Sequence, residues 1–486
     1  MSGPSPAPTP PPPPTETRPQ PSQHDAPQSL TEVPSDPASP QHAAVTHDGK
    51  AREHRYVPVK VKFAASLVIA FVWMALSYAL AARWIDDLSV HVGAVGAHLI
   101  IFGIAIIPGF MNAFLVASLL FDRRPPLRLA SQTFPSVSIL IAAYNEEEHI
   151  LETLESIDKQ GYPGALEVFV VDDGSTDRTH AQLLSARYDW LRVIRLPQNG
   201  GKAAALNHTL EHASHPLVIT IDGDSYLYKD ALQHLVLRFL NDPADTAAVA
   251  GAVLVRNSRA SLVTRMQEWD YFHGIAAVKR LQSLYQGTLV AQGAFSLYRT
   301  DVLKEVGGWK QTVGEDIVLT WAILEKGYRV GFAENACLFT HAPDTWRQFI
   351  RQRQRWSRGL IEALKAHWRL LFHRRMSTLF IWWNFTFPYL DLVYTFFFIP
   401  GIVLALAGYF FIVGPMTLLV LPLAMVINFI MYHVQNRMFI EQELKVRRNI
   451  VGFLSYSLFY SLILQPACVV GYLKEIFARN KQWGTK

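Results

Sequence analysis

Four aspartates follow two apolar stretches of the sequence, where a buried strand would end. Asp172 and Asp173 follow LEVFVV, and Asp222 and Asp224 follow LVITI. Carboxylates gathered at one edge repel each other unless a positive group lies among them. A divalent cation, magnesium or manganese, is one such group, because both bind oxygen ligands and share them with substrate phosphates. Asp-x-Asp also occurs in solvated turns, so both interpretations stay open at this point.

Two further motifs favour phosphate chemistry. QNGGKAAALN predicts a glycine turn that brings backbone N–H groups and Lys202 to a helix N-terminus, where anions bind. It is not a Walker A loop, and a glycine turn with a solvated lysine is the alternative. VGEDIVLTW predicts a helix that begins at Glu315 and Asp316. Such carboxylates often only complement the helix dipole, but near a metal-bound leaving group one would serve as general base.

The segment RQRQRWSRG at 351–359 combines basic side chains with an indole. Gln352 and Arg355 suit phosphate oxygens, and Trp356 offers a flat face for stacking on a sugar ring. Apolar residues at helical spacing follow, with basic residues around them, which predicts an amphipathic helix at a membrane surface. These apolar residues are Leu360, Ile361, Leu364, Trp368, Leu371 and Phe372.

Strands alternate with helices along residues 136–227, which predicts a largely parallel α/β sheet covered on both faces. In such a sheet the ligand site lies outside the carboxyl ends of the strands. All four aspartates are expected at those ends, and therefore on the rim where a substrate binds.

Long apolar segments surround this region and predict a membrane protein. Half of the chain is hydrophobic and 17% is charged. Residues 63–82 and 97–121 are each long enough to span a bilayer. Basic residues precede the first of these segments and follow the second. The positive-inside rule then places residues 125–375 in the cytoplasm. About three C-terminal spans are expected, two within 379–433 and one at 451–473, with a cytoplasmic loop at 436–449.

The predicted organisation has five parts. Residues 1–55 are rich in Pro, Ser and Gln and predict a disordered tail rather than a signal peptide. Two spans within 56–124, a catalytic domain at 125–345, the basic-aromatic segment at 346–376 and the C-terminal spans at 377–486 follow. Cys337 and Cys468 are too few for a disulfide framework and fit a reducing compartment.

Taken together, the motifs resemble processive family-2 glycosyltransferases, which include cellulose, hyaluronan, chitin and poly-N-acetylglucosamine synthases. AAYNEEE, VVDDGS, NGGK, DGD, VAQGAFSLYR, GED and QRQRW occur in the same order as in that family, over residues 135–360. The bacterial poly-β-1,6-N-acetylglucosamine synthases are the most similar group. The resemblance implies an α/β GT-A (Rossmann-like) catalytic domain on the cytoplasmic side, embedded between transmembrane helices.

The resemblance also implies a role for each motif residue. Asp316, with Glu315 beside it, is the general base; Asp224 and Asp222 bind the divalent cation; Trp356 and Gly293 contact the acceptor sugar. The nucleotide is bound by Asp172, Asp173, Lys202, Asp222, Gln352 and Arg355. Two positions depart from the family pattern: Gly314 replaces a threonine, and Ala142 replaces a proline.

The expected activity is inverting transfer from a UDP-sugar, with UDP-N-acetylglucosamine the best guess, to a growing β-linked exopolysaccharide that is then exported. The expected location is the bacterial cytoplasmic (inner) membrane, with the lipid bilayer and accessory export subunits as partners and no nucleic acid. Three alternatives stay open: single transfer to a membrane lipid, a non-catalytic membrane scaffold, and an ion-binding transporter.

Overall fold

The structure is a computed structural model that describes residues 57–122, 133–414 and 448–477, with scattered residues between 415 and 447. The predicted tail at residues 1–55 and half of the predicted loop at 436–449 lie outside the described residues. Both cysteines are free thiols, as expected.

An eight-stranded sheet forms the centre of the described chain, in the order β3-β2-β1-β4-β7-β6-β8-β5. Six of these strands run in one direction, and β7 and β5 are reversed. The predicted α/β class is therefore confirmed, with a sheet that is mixed at one side. The strands are β1 Val137–Ala143, β2 Leu166–Asp172, β3 Leu191–Arg195, β4 Leu217–Asp222, β5 Tyr226–Leu227, β6 Thr246–Val255, β7 Phe295–Arg299 and β8 Arg329–Thr340.

The strand register brings the predicted aspartates to one edge of the sheet. Ala143 of β1 pairs with Asp172 of β2, and Ala142 of β1 pairs with Asp222 of β4. The carboxyl ends of the three parallel strands are therefore level. The side chains of β1, β2 and β4 are almost all buried because helices cover both faces of the sheet.

Ten helices belong to the sheet domain and its extension toward the membrane. Most connect one strand to the next, which is typical of α/β folds. They are α4 Ile150–Asp158, α5 Thr179–Ser185, α6 Lys202–Leu210, α7 Ala231–Asn241, α8 Leu262–Asp270, α9 Lys279–Leu284, α10 Thr300–Glu305, α11 Glu315–Glu325 and α12 Trp346–Ala366, with a π-helical segment at Tyr271–Val278 between α8 and α9.

Four helical stretches of the described chain are long and apolar enough to cross a membrane: Val59–Leu80, Ala82–Phe121, Thr378–Leu406 and Ile450–Ile476. They comprise α1 Val59–Leu80, α2 Ala82–Ile101, α3 Ile107–Phe121, α13 Thr378–Val393, α14 Ile399–Leu406, α15 Ile450–Ser455 and α16 Ser461–Ile476, joined in part by π-helical segments. Another predicted C-terminal span falls mostly outside the described residues.

The first membrane pair differs from the sequence prediction. We expected a loop between residues 82 and 97, but the chain stays helical there and bends at Gly93, which has φ +74° and ψ 162°. Glycine adopts this left-handed backbone region at no steric cost, so a single residue can redirect the helix.

The predicted amphipathic helix is divided into two pieces. α12 ends at Ala366, His367 leaves helical geometry, and a short 3-10 turn follows at Trp368–Phe372. Trp368 and Phe372 are 54% and 69% exposed and lie just before the membrane stretch that begins at Thr378. The apolar and basic character expected at a membrane surface is therefore concentrated in the 3-10 turn.

Candidate active site

Asp173, directly after β2, holds the glycine turn that precedes α6. It is 2% exposed, and its two carboxylate oxygens accept hydrogen bonds from the backbone N–H groups of Gly200 and Gly201, each at 2.8 Å. Gly174, at φ +72°, lets the chain pass close to this turn. We expected these N–H groups to face a phosphate, but the anion they bind in the structure is the Asp173 carboxylate.

Asp172, the last residue of β2, lies at the same edge of the sheet. Its Oδ1 accepts the backbone N–H of Ser175 at 2.9 Å, and its Oδ2 lies 3.2 Å from His180 Nδ1 and 3.5 Å from Arg195 Nε. The side chain is fully buried. These contacts shape the loop that carries Asp173.

Lys202, the first residue of α6, reaches across the edge to Asp222. Its ammonium group contacts the Asp222 carboxylate. Burial alone would lower the pKa of Lys202, but the neighbouring carboxylates of Asp222, Glu315 and Asp316 outweigh it and raise that pKa. Lys202 is therefore a permanent positive charge among three carboxylates.

Gly293 lies where the Lys202 side chain passes. A Cβ atom at this position would lie 2.7 Å from Lys202 Nζ, so a larger residue here would push the lysine away from its position beside Asp222. The same Cβ would lie 3.8 Å from Oε1 of Glu315. Gly293, which was predicted to contact the acceptor sugar, therefore lies beside Lys202 and Glu315.

Asp224 lies between β4 and β8. Its Oδ1 is 3.5 Å from the Thr340 hydroxyl, at the end of β8. His341 follows Thr340, and its ring lies 4.3 Å from the ring of His149. Sequence reasoning missed both histidines, because neither stands in a motif and only the fold brings the end of β8 to Asp224.

The acidic edge fits a divalent cation that is bound jointly with a substrate. Among the described residues, no three His, Cys, Asp or Glu side chains converge to hold an ion by themselves. Asp222 and Asp224 are both partly exposed at the open edge of the sheet. Magnesium and manganese in phosphate-transferring sites typically take one or two carboxylates and complete their oxygen shell from the substrate and water.

Glu315 and Asp316 begin α11, as the sequence predicted. Glu315 is 4% exposed, and its Oε2 has no hydrogen-bond partner among the described residues. Burial and the charge of Asp316 raise the pKa of Glu315, against the opposing effects of Lys202 and Arg355. Asp316 is more exposed and accepts the N–H of Ile317 at 2.8 Å. The more accessible carboxylate is therefore Asp316.

Gln352, Arg355 and Trp356 lie at i, i+3 and i+4 on α12, and so on one face of that helix. Gln352 is 8% exposed, and its Oε1 and the buried Nε of Arg355 lack hydrogen-bond partners among the described residues. Buried polar atoms without partners are rare in folded proteins. The guanidinium group of Arg355 lies close enough to Glu315 to lower the pKa of that carboxyl. Unpartnered polar atoms on this face are what a binding site for a polar ligand requires.

Arg353 points away from this face. Its Nη2 lies 2.8 Å from Asp270 Oδ2, and its guanidinium group lies 4.2 Å from the centre of the Trp356 ring. Arg353 therefore packs against the ring of Trp356, which stays 38% exposed.

Lys279, on α9, is a site residue that sequence reasoning missed. It is 8% exposed, and burial lowers its pKa to about 7, although nearby Asp316 opposes that shift. A lone lysine in the segment VKRLQSL carries no recognisable signal. Its proximity to Asp316 becomes visible only once α9 and α11 are packed on the sheet.

The protein thus combines an α/β sheet domain with helices that are apolar enough to cross a membrane. Acidic, basic and aromatic side chains lie together at one edge of the sheet. Residues 138–307 match the model of Glycosyl transferase family 2. The matched residues are those that carry most of the ordered motifs, so the match confirms the family that these motifs predicted.

Comparison with curated proteins agrees with the predicted group. The chain is 30% identical over 278 residues to a poly-β-1,6-N-acetyl-D-glucosamine synthase of Staphylococcus epidermidis, covering 56% of this chain and 66% of that protein. It is 30% identical over 270 residues to the synthase of the same name from Staphylococcus aureus strain COL, covering 53% and 64%. The match spans just under two thirds of the length of these relatives.

Among solved structures, the chain is similar to a mannosyltransferase from Pyrobaculum calidifontis in complex with GDP-mannose and Mn²⁺. The identity is 18% and the TM-score is 0.49, over 87% of this chain and 100% of that one.

Proposed function

We propose that this protein is a membrane-bound inverting glycosyltransferase that adds sugars from a UDP-sugar, with UDP-N-acetylglucosamine the first choice, to a growing β-linked polysaccharide. The observation that carries the proposal is the convergence of three groups at one sheet edge. These are the carboxylates of β4 with Lys202, the acidic N-terminus of α11, and the polar face of α12. The family match and the names of the curated relatives support the same activity.

The donor nucleotide would bind along this edge. Asp173 fixes the glycine turn, and Gln352 and Arg355 supply an amide and a guanidinium group for the diphosphate. A magnesium or manganese ion held by Asp222 and Asp224 would act, when bound, as a Lewis acid toward the departing diphosphate. Preorganised positive charge where negative charge develops is often the largest catalytic contribution, which suits Lys202 and Arg355.

Asp316 is the proposed general base. Its carboxylate would take the proton from the acceptor hydroxyl as that oxygen attacks the anomeric carbon and the bond to the UDP oxygen breaks. A positioned base contributes about 10² to 10⁴ in rate. One displacement inverts the anomeric configuration, so no nucleophilic serine or cysteine is required.

The acceptor chain would leave toward the membrane helices from Trp356. A polysaccharide cannot cross hydrocarbon unaided, because its hydroxyl groups would lose their hydrogen bonds to water. His273 is 4% exposed and has no hydrogen-bond partner on either ring nitrogen within the described chain, and its ring lies 5.8 Å from that of Tyr456 in the membrane stretch Ile450–Ile476. Such polar groups at the membrane side of the site support an exit path for a hydroxyl-rich chain.

We further propose that the protein lies in the bacterial inner membrane with its sheet domain in the cytoplasm. The support is the distribution of basic residues around the apolar stretches, since the positive-inside rule places basic flanks in the cytoplasm.

The test is a panel of radiolabelled UDP-sugars supplied to the purified protein in lipid vesicles, with products sized after extraction by organic solvent. We expect water-soluble polymer from UDP-N-acetylglucosamine, and none from an Asp316→Asn variant. If the product is instead a single sugar on a lipid that the solvent extracts, the protein is a lipid glycosyltransferase and not a polymerase. No incorporation from any donor would contradict the proposed function altogether.

A further inference from the structure

A buried carboxylate on α12 holds the backbone just before the proposed base. Glu362 is 6% exposed, and its Oε2 accepts the backbone N–H groups of Val313 at 2.8 Å and Gly314 at 3.0 Å. The next two residues are Glu315 and Asp316. One side-chain oxygen of α12 therefore fixes the direction in which α11 begins.

A backbone contact reinforces this hold. A Cβ atom at Gly314 would lie 2.4 Å from the Cα of Gly359, and a Cβ at Gly359 would lie 2.7 Å from the Cα of Gly314. The two glycines thus let α12 touch the loop with no side chain between them. This contact accounts for glycine at both positions.

The membrane helix α16 holds α12 from the other side. Arg358 donates two hydrogen bonds of 3.3 Å to Oε2 of Glu475, and both side chains are buried. A Cβ at Gly471 would lie 2.0 Å from the Ser357 hydroxyl, so the two helices pack very closely. α12 therefore connects a membrane helix, the Gln352–Trp356 face and the loop that carries the base.

We propose that Glu362 is a positioning residue, which acts through the N-terminus of α11 to set Asp316 against the α12 face. The proposal rests on the proposed function, since it assumes that Asp316 is the base and that Gln352 and Arg355 bind the donor. A displacement of about 1 Å in a catalytic group costs about 10²-fold in rate. Loss of the Glu362 contacts therefore affects kcat far more than donor binding.

Two variants of Glu362 separate positioning from general stability. Glu362→Ala removes the acceptor of both N–H groups, whereas Glu362→Gln keeps a carbonyl oxygen that accepts them. We expect Glu362→Ala to lower kcat by about 10²-fold with donor KM changed by less than about 3-fold, and Glu362→Gln to stay within about 3-fold of the wild type. Equal kcat in Glu362→Ala and wild type would overturn the proposal, as would an equal fall in kcat for both variants.

Hydrogen exchange supplies a readout that does not depend on activity. In the full-length protein, Glu362→Ala should speed amide exchange in peptides that cover residues 311–316, while peptides from β4 exchange as in the wild type. Unchanged exchange at 311–316 would overturn the proposal, as would a uniform increase throughout the domain. This measurement stands even when no donor sugar is accepted, so it separates failure of this inference from failure of the proposed function.

A matched control lies at the other end of the same pair of helices. Glu325 ends α11 and lies 2.7 Å from Nδ1 of His367, just after α12. Glu325→Ala also removes a carboxylate that links the two helices, but away from the base. We expect unchanged kcat and unchanged exchange at 311–316, and a loss equal to that of Glu362→Ala would contradict a specific role for Glu362.

Discussion

At the scale of single residues, the two carboxylates that begin α11 have different environments. Glu315 is buried beside Lys202 and Gly293, and its raised pKa favours the neutral acid. Asp316 is more accessible and carries the charge that opposes deprotonation of Lys279. We propose that only Asp316 accepts a proton from the incoming hydroxyl, so the two conservative variants should differ in how far kcat falls.

Asp316→Asn should lower kcat by about 10² to 10⁴ while leaving donor KM nearly unchanged, because it removes the base but keeps the shape of the side chain. Glu315→Gln should lower kcat by less than about tenfold, because the neutral amide resembles the protonated carboxyl that burial favours. Steady-state kinetics of both variants in vesicles checks the pair. The reverse order would assign the base to Glu315.

Lys279 gives a prediction about pH and stability. Its pKa falls from 10.5 to about 7 on folding. Between these values the unfolded chain keeps the proton and the folded protein has lost it, so this residue makes stability rise with pH across that window. Below pH about 7 the folded protein buries a charged amine.

Lys279→Met removes that cost, so the variant should gain the most in Tm over the wild type near pH 6. The gain should shrink steadily toward pH 9 to 10. Thermal unfolding in detergent, followed by tryptophan fluorescence, measures both proteins across the range. A difference in Tm that does not vary with pH would show that Lys279 keeps its ordinary pKa.

At the scale of elements, α12 is the helix on which the site depends. One face carries Gln352, Arg355 and Trp356, and buried residues elsewhere on the helix contact the loop before α11 and the membrane helix α16. The buried pair Arg358–Glu475 is one polar link between α12 and α16, and Lys365 Nζ also lies 3.7 Å from Oε1 of Glu475. A buried charge that loses its partner is strongly destabilising, whereas replacing both partners with apolar residues is often close to neutral.

A double-mutant cycle tests this link. Arg358→Met should destabilise the protein by less than about 3 kcal/mol, because it removes the guanidinium partner of buried Glu475 but leaves Lys365 beside it. The double variant Arg358→Met with Glu475→Met should be distinctly more stable than the single variant. Unfolding in denaturant at fixed detergent gives the three free-energy differences. Additive effects would show that the two side chains do not interact.

Features of these elements that depend on neighbouring residues could be predicted from the sequence, whereas features that depend on contacts between distant segments could not. The start of α11 at Glu315 and of α6 at Lys202 was predicted correctly, because acidic first-turn residues and a glycine turn are local signals. The break of the amphipathic helix at His367 was not predicted, since the apolar spacing continues through it. The contact of Glu362 with the backbone of Val313 and Gly314 was also not predicted, because it joins segments far apart in the sequence.

At the scale of the whole molecule, the sheet domain and the apolar helices form one arrangement with the site at the junction. The position of the aspartates at one edge of the sheet was predictable, because the apolar strands β2 and β4 each end in aspartate. The reversed direction of β7 could not be predicted, since the sequence of a single strand does not show which way it runs relative to its neighbours. The bend at Gly93 was missed for a similar reason: the segment before it is polar enough to resemble a loop.

The length of Ala82–Phe121 bears on how the chain crosses the membrane. Its 40 residues would extend about 60 Å as a straight helix, about twice the thickness of the hydrocarbon core. The bend at Gly93 and the charges of Asp86 and Asp87 before it indicate that only the later part spans. The segment before the bend is then expected outside the cell.

Cysteine labelling tests that topology. Val90 and Leu184 are 82% and 65% exposed, whereas Cys337 is buried and gives little background. In intact bacterial cells, Val90→Cys should react with a membrane-impermeant maleimide, and Leu184→Cys should react only after the cells are opened. Labelling of Leu184→Cys in intact cells would place the sheet domain on the outer side and contradict the proposed orientation.

The central claim is that the acidic edge at Asp222 and Asp224 works with a divalent cation on a UDP-sugar. The most direct measurement is sugar incorporation by the purified protein in vesicles, before and after chelation and after magnesium or manganese is restored. We expect chelation to abolish incorporation in the wild type and metal to restore it, while Asp224→Asn stays inactive at any metal concentration. Incorporation that survives chelation, or an Asp224→Asn variant as active as the wild type, would contradict the account.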